Sequence, residues 1–486
     1  MHFFTKTLLF FTFFVFCNKL FSQEQLGLRL SNYSGINGVI LNPAAGVNNP
    51  LGWDVNIFSL GSFVANDFAF FRDASLLSLY RNRYALGLAP ETKITYPRKA
   101  NKYLDFFNQP HEKYFSTTNF LDLPSFQVNL ESGHSFGVFT RQRLAIGTRQ
   151  IPIIADPYVQ QGILLGWVNK IPPLFITGMT WGELGFNYAY QFGDAIDGGL
   201  SVGATVKVLR GNQGFFFENR EGTSVTRLTK DSTRINELNI SAGLTKNIIG
   251  NVLANNGSGL GIDVAAQFIV GSGESDDRPY LFKVNAALLD LGRINFTRNT
   301  DVYALKFTEP LLIETKDYAN LDPSDPEGDI LQRINKKTNG KTDNTLQGHY
   351  FPMGLPTAFS LQGDVAVAEN IFVNGLLIQR LRFNDLILSR DNLFAITPRF
   401  ESHWFDASLP LSILNYKQVQ IGLAARVAFF TLGTDNLMSY LGQKRLTGSD
   451  FYMALKINSF SIGKLGNGRG FNSGIKSRKS VKCYRF

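Results

Sequence analysis

The sequence predicts an all-β chain: a transmembrane antiparallel β-barrel of about 14 strands with an N-terminal hatch and small rim helices. Three observations carry that expectation. Apolar residues recur at every second position in short blocks, an apolar leader opens the chain, and no composition break divides the 486 residues into separate domains. In the clearest blocks, Leu184, Phe186, Tyr188, Tyr190 and Phe192 alternate with Glu183, Gly185, Asn187, Ala189 and Gln191. Leu200, Val202, Ala204, Val206 and Val208 alternate in the same way with Ser201, Gly203, Thr205 and Lys207. Strand side chains point to opposite faces in turn, so each block has one apolar and one polar face. A soluble sandwich would show the same alternation around a buried core. Composition favours the barrel: 43 Phe, 17 Tyr and 45 Gly against 18% charged residues suit a lipid-facing wall around a tightly packed lumen.

Residues 1–22 read as a secretory signal peptide. Lys6 ends a short positive region, Thr7 to Cys17 is apolar, and Phe21-Ser22-Gln23 offers a cleavage point before Glu24. The apolar run is too short for a spanning helix, which needs ~20 residues. After cleavage Cys483 is the one cysteine left, so no intramolecular disulfide forms and stability must come from the sheet. An exported sheet in lipid must close, because open edges would leave amides without partners. The expected location is the cell outer membrane, with its lipid as the first partner.

Residues 23–52 are irregular, punctuated by Asn32, Asn37, Asn42, Pro43 and Asn48-Asn49-Pro50, and read as a hatch or plug. Residues 53–463 read as the barrel. Trp53, Val55 and Ile57 open the first strand. Residues from Arg72 to Leu123 lose the alternation and read as an insertion, helical near Leu76 to Tyr84. Strand blocks return near Phe126–Leu130, Phe136–Arg143, Trp181–Phe192, Leu200–Leu209, Leu238–Thr245, Leu260–Val270, Phe282–Leu291 and Val302–Phe307. Further blocks lie near Phe359–Val367, Ile371–Leu381, Leu393–Ser402, Trp404–Leu411, Val419–Phe430 and Phe451–Ser459. These make an odd set of 15, and single-chain bacterial barrels have even strand numbers, so the expectation stays at about 14. Gly211 to Glu237 and Thr308 to Pro356 read as long loops on one rim, with short turns on the other. Thr434 to Lys444 reads as a small rim helix.

Two segments carry a resemblance. Ser31-Asn32-Tyr33-Ser34-Gly35-Ile36-Asn37-Gly38 followed by Leu41-Asn42-Pro43-Ala44 resembles the start of uncharacterised outer-membrane barrels from Bacteroidota. Leu432-Gly433-Thr434-Asp435-Asn436-Leu437 before the aromatic strand Phe451-Tyr452-Met453-Ala454-Leu455 extends the likeness. The Asn-Pro-Ala core also resembles the hatch of the long-chain fatty-acid transporter family. That likeness implies a barrel of 14 strands with a plugged lumen. On its own, Asn42-Pro43-Ala44 is also a common turn, with an Asn side chain bonding its own backbone before a rigid Pro.

Catalytic motifs are weak. His111, His134, His349 and His403 show no metal-ligand spacing, and there is no Gly-x-Ser-x-Gly elbow. Asp322, Asp325, Glu327 and Asp329 read as a solvated acidic loop. No enzyme activity, cofactor or metal is expected. The full chain carries +9; losing Lys6 and Lys19 with the leader leaves +7. The tail, residues 464–486, holds that whole excess in Lys464, Arg469, Lys476, Arg478, Lys479, Lys482 and Arg485. An exported basic tail points to anionic lipid, glycan or an acidic surface or periplasmic protein, and not to nucleic acid. Two functions follow from the pattern. In a carrier of hydrophobic small molecules, Asn42, Pro43 and Ala44 shape the hatch while Glu183, Lys207, Asp263, Lys283 and Arg426 line the lumen. In a non-transporting scaffold of a surface complex, long loops and the basic tail hold the partners.

Overall fold

A computed structural model describes residues 24–458, apart from 83–85, 89–101, 108–112, 131, 153–164, 195–197, 230, 247–253, 273–277, 308–309, 319–332, 334–336, 338–345 and 384–385. The signal peptide, the basic tail, His111 and the Asp322–Asp329 loop therefore lie outside the described residues.

Alternation dictates strands, and the strands close into a 14-strand antiparallel barrel. In chain order β1 is Trp53–Asn66, β2 is Phe115–Asp122 with Ser125–Asn129, and β3 is His134–Arg149. Next come β4, Val168–Ile171 with Leu174–Asp194, and β5, Gly198–Asn219 with Thr223–Arg227. β6 is Ser232–Thr245 with Gly257–Val270. β7 is Phe282–Phe296, Thr300–Phe307 and Leu311–Glu314, and β8 is Leu346–Gly348, Phe351–Gly354 and Ala358–Ala368. β9 is Ile371–Arg380 and β10 is Leu393–Glu401. β11 is Phe405–Ser408 with Leu411–Leu414, and β12 is Gln418–Ile421 with Leu423–Val427. β13, Phe430–Thr434, and β14, Gly448–Asn458, complete the ring. Closure is made where β1 pairs with β14, from Asp54 opposite Asn458 to Ala65 opposite Gly448.

The 15 sequence blocks reduce to these strands for physical reasons. The blocks at Leu238–Thr245 and Leu260–Val270 are two halves of β6, both antiparallel to β5, interrupted by an excursion. Those at Phe282–Leu291 and Val302–Phe307 are likewise both in β7. One strand was hidden, because β12 turns into β13 at Ala428-Phe429 with Ala428 at φ 54 and no Gly or Asn to mark the turn. The expected loop from Gly211 to Glu237 is instead wall: β5 continues to Asn219, and Thr223–Arg227 pairs with β6. Phe115–Asp122, inside the expected insertion, belongs to β2 and pairs with both β1 and β3.

Outward side chains form an apolar belt: Leu184, Phe186, Val202, Val206, Ile262, Val264, Phe394 and Ile396 are all exposed, whereas Thr205 and Asp263 are fully buried. A surface of this kind needs lipid. On the short-turn rim, His134, Phe136, Tyr188, Tyr190 and Phe192 form a contiguous aromatic cluster. On the other rim a small sheet of Ala69–Ala74, Lys102–Phe106, Leu86–Leu88 and Gln443–Leu446 packs on the helices Leu76–Arg81 and Met438–Leu441.

Candidate functional site

The hatch enters the lumen as two single-turn helices, Leu26–Arg29 and Ile36–Val39, and the 3-10 turn Gly46–Asn48. Helices this short satisfy few of their own N–H groups. Barrel carboxylates and a phenol supply partners: the Leu26 amide donates to Asp435 at 3.1 Å and the Gly27 amide to Tyr452 at 2.9 Å. The amides of Asn32 and Ile36 donate to Glu401 and Asp54, each at 3.0 Å.

Asn42, Pro43 and Ala44 combine a turn with a docking contact. The Asn42 Oδ1 accepts from the Ala44 amide at 3.0 Å, closing a local turn, while Asn42 Nδ2 donates to Gln267 on β6 at 2.7 Å. The Pro43 carbonyl accepts from Asn187 on β4 at 3.0 Å. It also lies over Gly203, where an added Cβ would sit 2.3 Å from the carbonyl oxygen, so the wall is a glycine at the point of closest approach.

Two buried ion networks fill the lumen around the hatch. In the first, Lys207 bridges Asp263 at 2.7 Å and Asp290 at 2.6 Å, and Arg143 bridges Glu183 and Asp290 at 3.0 Å each. Arg390 carries this network to the hatch with two hydrogen bonds to Glu24, at 2.8 and 2.7 Å. In the second, Arg399 binds Asp364 at 2.9 Å and Glu401 at 2.6 Å, and Lys283 lies 3.5 Å from Asp364. Nearby, Arg426 pairs with Asp406 at 2.6 Å and Lys456 with Asp54 at 3.1 Å. The structure thus joins Glu183, Lys207 and Asp263 in one cluster, places Lys283 in the other, and leaves Arg426 in a separate pair with Asp406. Within the hatch, burial and the Arg141 charge push Arg29 down to about 9 against the pull of Glu24 and Asp122, so it stays cationic at neutral pH. Burial, aided by Glu401 and Asp406, pushes the Tyr33 hydroxyl up to about 12, keeping it neutral.

Sequence reasoning missed Arg143, Asp290, Arg390, Arg399 and Glu24. Arg143 and Arg399 stand at inward strand parity and were accessible to the same alternation argument. Asp290 occupies a bulge at φ 56, where the β6–β7 register shifts between Ile262 and Val264, and alternation is silent there. Arg390 comes from the loop after β9, which folds inward.

Between hatch and wall lies a cavity of about 50 Å³, lined by Asn42, Gln267, Lys283, Asn285, Asp364 and Asn374. Among the described residues, both amide atoms of buried Asn285 and the Gln267 Nε2 find no hydrogen-bond partner, so the cavity suits ordered water better than hydrocarbon. Towards the long-loop rim the lumen turns apolar: Met179, Trp181, Leu209, Ile294, Phe296, Met353, Leu355 and Leu388 form one buried cluster.

Beside that cluster the wall is interrupted. β8 breaks between Gly354 and Ala358, opposite the β7 bulge, and β9 ends at Arg380 opposite Ala358. The inward-folded loop patches the gap, with the Gly354 amide donating to Leu386 and the Leu388 amide to Gly354, each at 3.1 Å. A cleft of about 680 Å³ opens here, lined by exposed Leu260, Arg293 and Phe383 and backed by buried Thr357 and Ile387.

A model of the family of unknown function DUF5723 matches residues 43–435, most of the barrel. The chain belongs to the DUF5723 family. No curated protein matches it. Among solved structures, this DUF5723 barrel is similar to the TodX monoaromatic hydrocarbon channel deltaS2 mutant, at 9% identity over 87% of this chain and 93% of that one, TM-score 0.34. It is also similar to a Pseudomonas aeruginosa FadL homologue, at 9% identity over 90% and 99%, TM-score 0.24. The Pseudomonas putida toluene transporter TodX matches at 9% identity over 88% and 94%, TM-score 0.30. At these TM-scores the architecture of the DUF5723 barrel rests on its own strand pairing.

Proposed function

We propose that this protein resides in the outer membrane and exchanges hydrophobic small molecules with the bilayer sideways, through the interrupted wall. The observation that carries the reading is the cleft between β6, β7, β8 and the inward loop, with the apolar cluster around Trp181 and Leu355 behind it. Axial passage is a poorer fit, because the hatch and paired charges occupy the lumen. A lateral route needs only the patch at Leu386–Leu388 to yield.

A reversible lock tests this. A Cβ built on Gly354 lies 3.4 Å from the Ile387 Cβ, close to disulfide spacing. The pair Gly354→Cys with Ile387→Cys should lose uptake of a labelled aromatic hydrocarbon when oxidised and regain it on reduction. Uptake that ignores the lock would sink the lateral route.

The scaffold reading draws on a different feature, the length of β4 and β5 beyond the belt. In it, the projecting wall and the tail cations Lys476, Arg478, Lys479, Lys482 and Arg485 hold an anionic surface partner. Truncation before Ser473 would then weaken a salt-sensitive association.

A further inference from the structure

Three donors with no acceptor among the described residues gather at the mouth of the lateral cleft. Ser258 on β6 lies directly opposite Asn295 on β7, and Leu260 directly opposite Arg293. Cross-strand neighbours of this kind share one face. Ser258 and Arg293 are exposed on it. The Asn295 Oδ1 accepts from the Tyr350 hydroxyl at 3.2 Å, which leaves the Asn295 Nδ2 to donate elsewhere. All three residues line the cleft, together with Leu260, Leu291, Phe383 and Ile387.

The height of this cluster follows from the ladders. Arg210 lies opposite both Ser258 and Gly182, so Arg210, Ser258 and Asn295 form one outward polar row closed by exposed Tyr350. Down β4 from Gly182, the aromatic cluster at Tyr190 and Phe192 is roughly 8 to 10 residues away, the length of a membrane-spanning strand. The polar row therefore marks the second boundary of the bilayer. The donors sit at headgroup level and the apolar side of the cleft faces the acyl region.

We propose that this cleft binds a lipid carrying a terminal phosphate. Three phosphate oxygens meet Arg293, Asn295 and Ser258, while an acyl chain lies along Leu260, Leu291 and Phe383. A terminal phosphate offers three tetrahedrally placed oxygens and up to two charges to these donors, a carboxylate offers two coplanar oxygens and one charge, and a neutral hydrocarbon leaves all three donors without an acceptor. A volume near 680 Å³ is within the range of small-molecule sites. The inference deepens the lateral-cleft reading by naming the chemistry of its ligand, and it rests on that reading for access from the bilayer.

The test uses the full chain in nanodiscs of phosphatidylcholine doped in turn with phosphatidic acid and with a fatty acid of equal chain length, with retained ligand read by native mass spectrometry. Phosphatidic acid should be retained at least about tenfold over either competitor, and Arg293→Gln should abolish that preference, the loss expected for one charge-assisted contact. Arg293→Lys should keep part of it. Arg210→Gln, in the same row but outside the cleft, should leave it unchanged, and heat-modifiable mobility checks that each variant is folded. Equal retention of fatty acid and phosphatidic acid, or a preference that survives Arg293→Gln, would overturn the proposal. Full displacement by inorganic phosphate would also overturn it, by making this a soluble-anion site. The cysteine lock keeps the two readings separable: uptake blocked by the lock with no phosphate preference leaves the lateral route and removes this ligand. The preference with uptake indifferent to the lock does the reverse.

Discussion

On one side of the barrel β4 and β5 run for 21 and 22 residues in their main segments, whereas on the other side β9 and β10 run for 10 and 9. Spanning takes about 9–11 residues, so the low side is nearly all membrane and the tall side continues for roughly as far again beyond it. Inward positions carry ion pairs on both sides, Arg143 with Glu183 on the tall wall and Arg399 with Glu401 on the low one. The apolar cluster and the lateral cleft lie where the tall wall gives way to the low wall. Height thus separates the part that spans from the part that projects, and the proposed lateral route falls at the seam.

The largest expected effect tests whether the two sides share one electrostatic design. Arg143→Met takes the bonded cation from buried Glu183 and one of the cations from Asp290, Arg399→Met does the same to Glu401 and Asp364, and each should cost about 3–5 kcal/mol in urea unfolding from lipid vesicles. A large loss on one side alone would break the symmetry of the lumen. Next comes the wall itself: Val264→Arg and Ile396→Arg, both in the belt, should cost about 2–4 kcal/mol, and Leu312→Arg on the projecting part of β7 about 0–1. Equal losses at all three would mean that the tall wall does not leave the bilayer. Gly203→Ala should then loosen the hatch by about 1–3 kcal/mol through the Pro43 carbonyl. Gly363→Ala on β8, where a Cβ meets nothing within 4 Å, should be close to neutral. Faster proteolysis of the hatch in the first variant alone is the expected readout. The smallest effect belongs to the tail: removing Ser473 to Phe486 should leave heat-modifiable mobility unchanged, and failure to assemble would make Tyr484 and Phe486 part of the insertion signal.

Legibility in the sequence followed the same division. Alternation survives wherever one face meets lipid, so the belt positions Ala204 and Val264 and the inward Thr205 are legible in the sequence. It fails above the belt, where both faces of β5 from Gly211 to Asn219 are largely buried and period two carries no contrast. It fails again at Asp290, whose bulge turns an apolar strand into the hub of an ion network. The loop residue Arg390 had no periodic signal, and its pairing with Glu24 depends on a chain path that only the closed barrel defines.

The hatch amides bonded to Asp435 and Tyr452 have a consequence for the order of assembly. Those two bonds join residues 409 and 425 positions apart, near opposite ends of the described chain. The Leu26–Arg29 turn cannot complete its bonds until β14, which carries Tyr452, is in place. Until then the Leu26 and Gly27 amides lack the acceptors that Asp435 and Tyr452 supply. Ring closure is the event that brings them, which makes the seating of the hatch a built-in report that the final seam has formed.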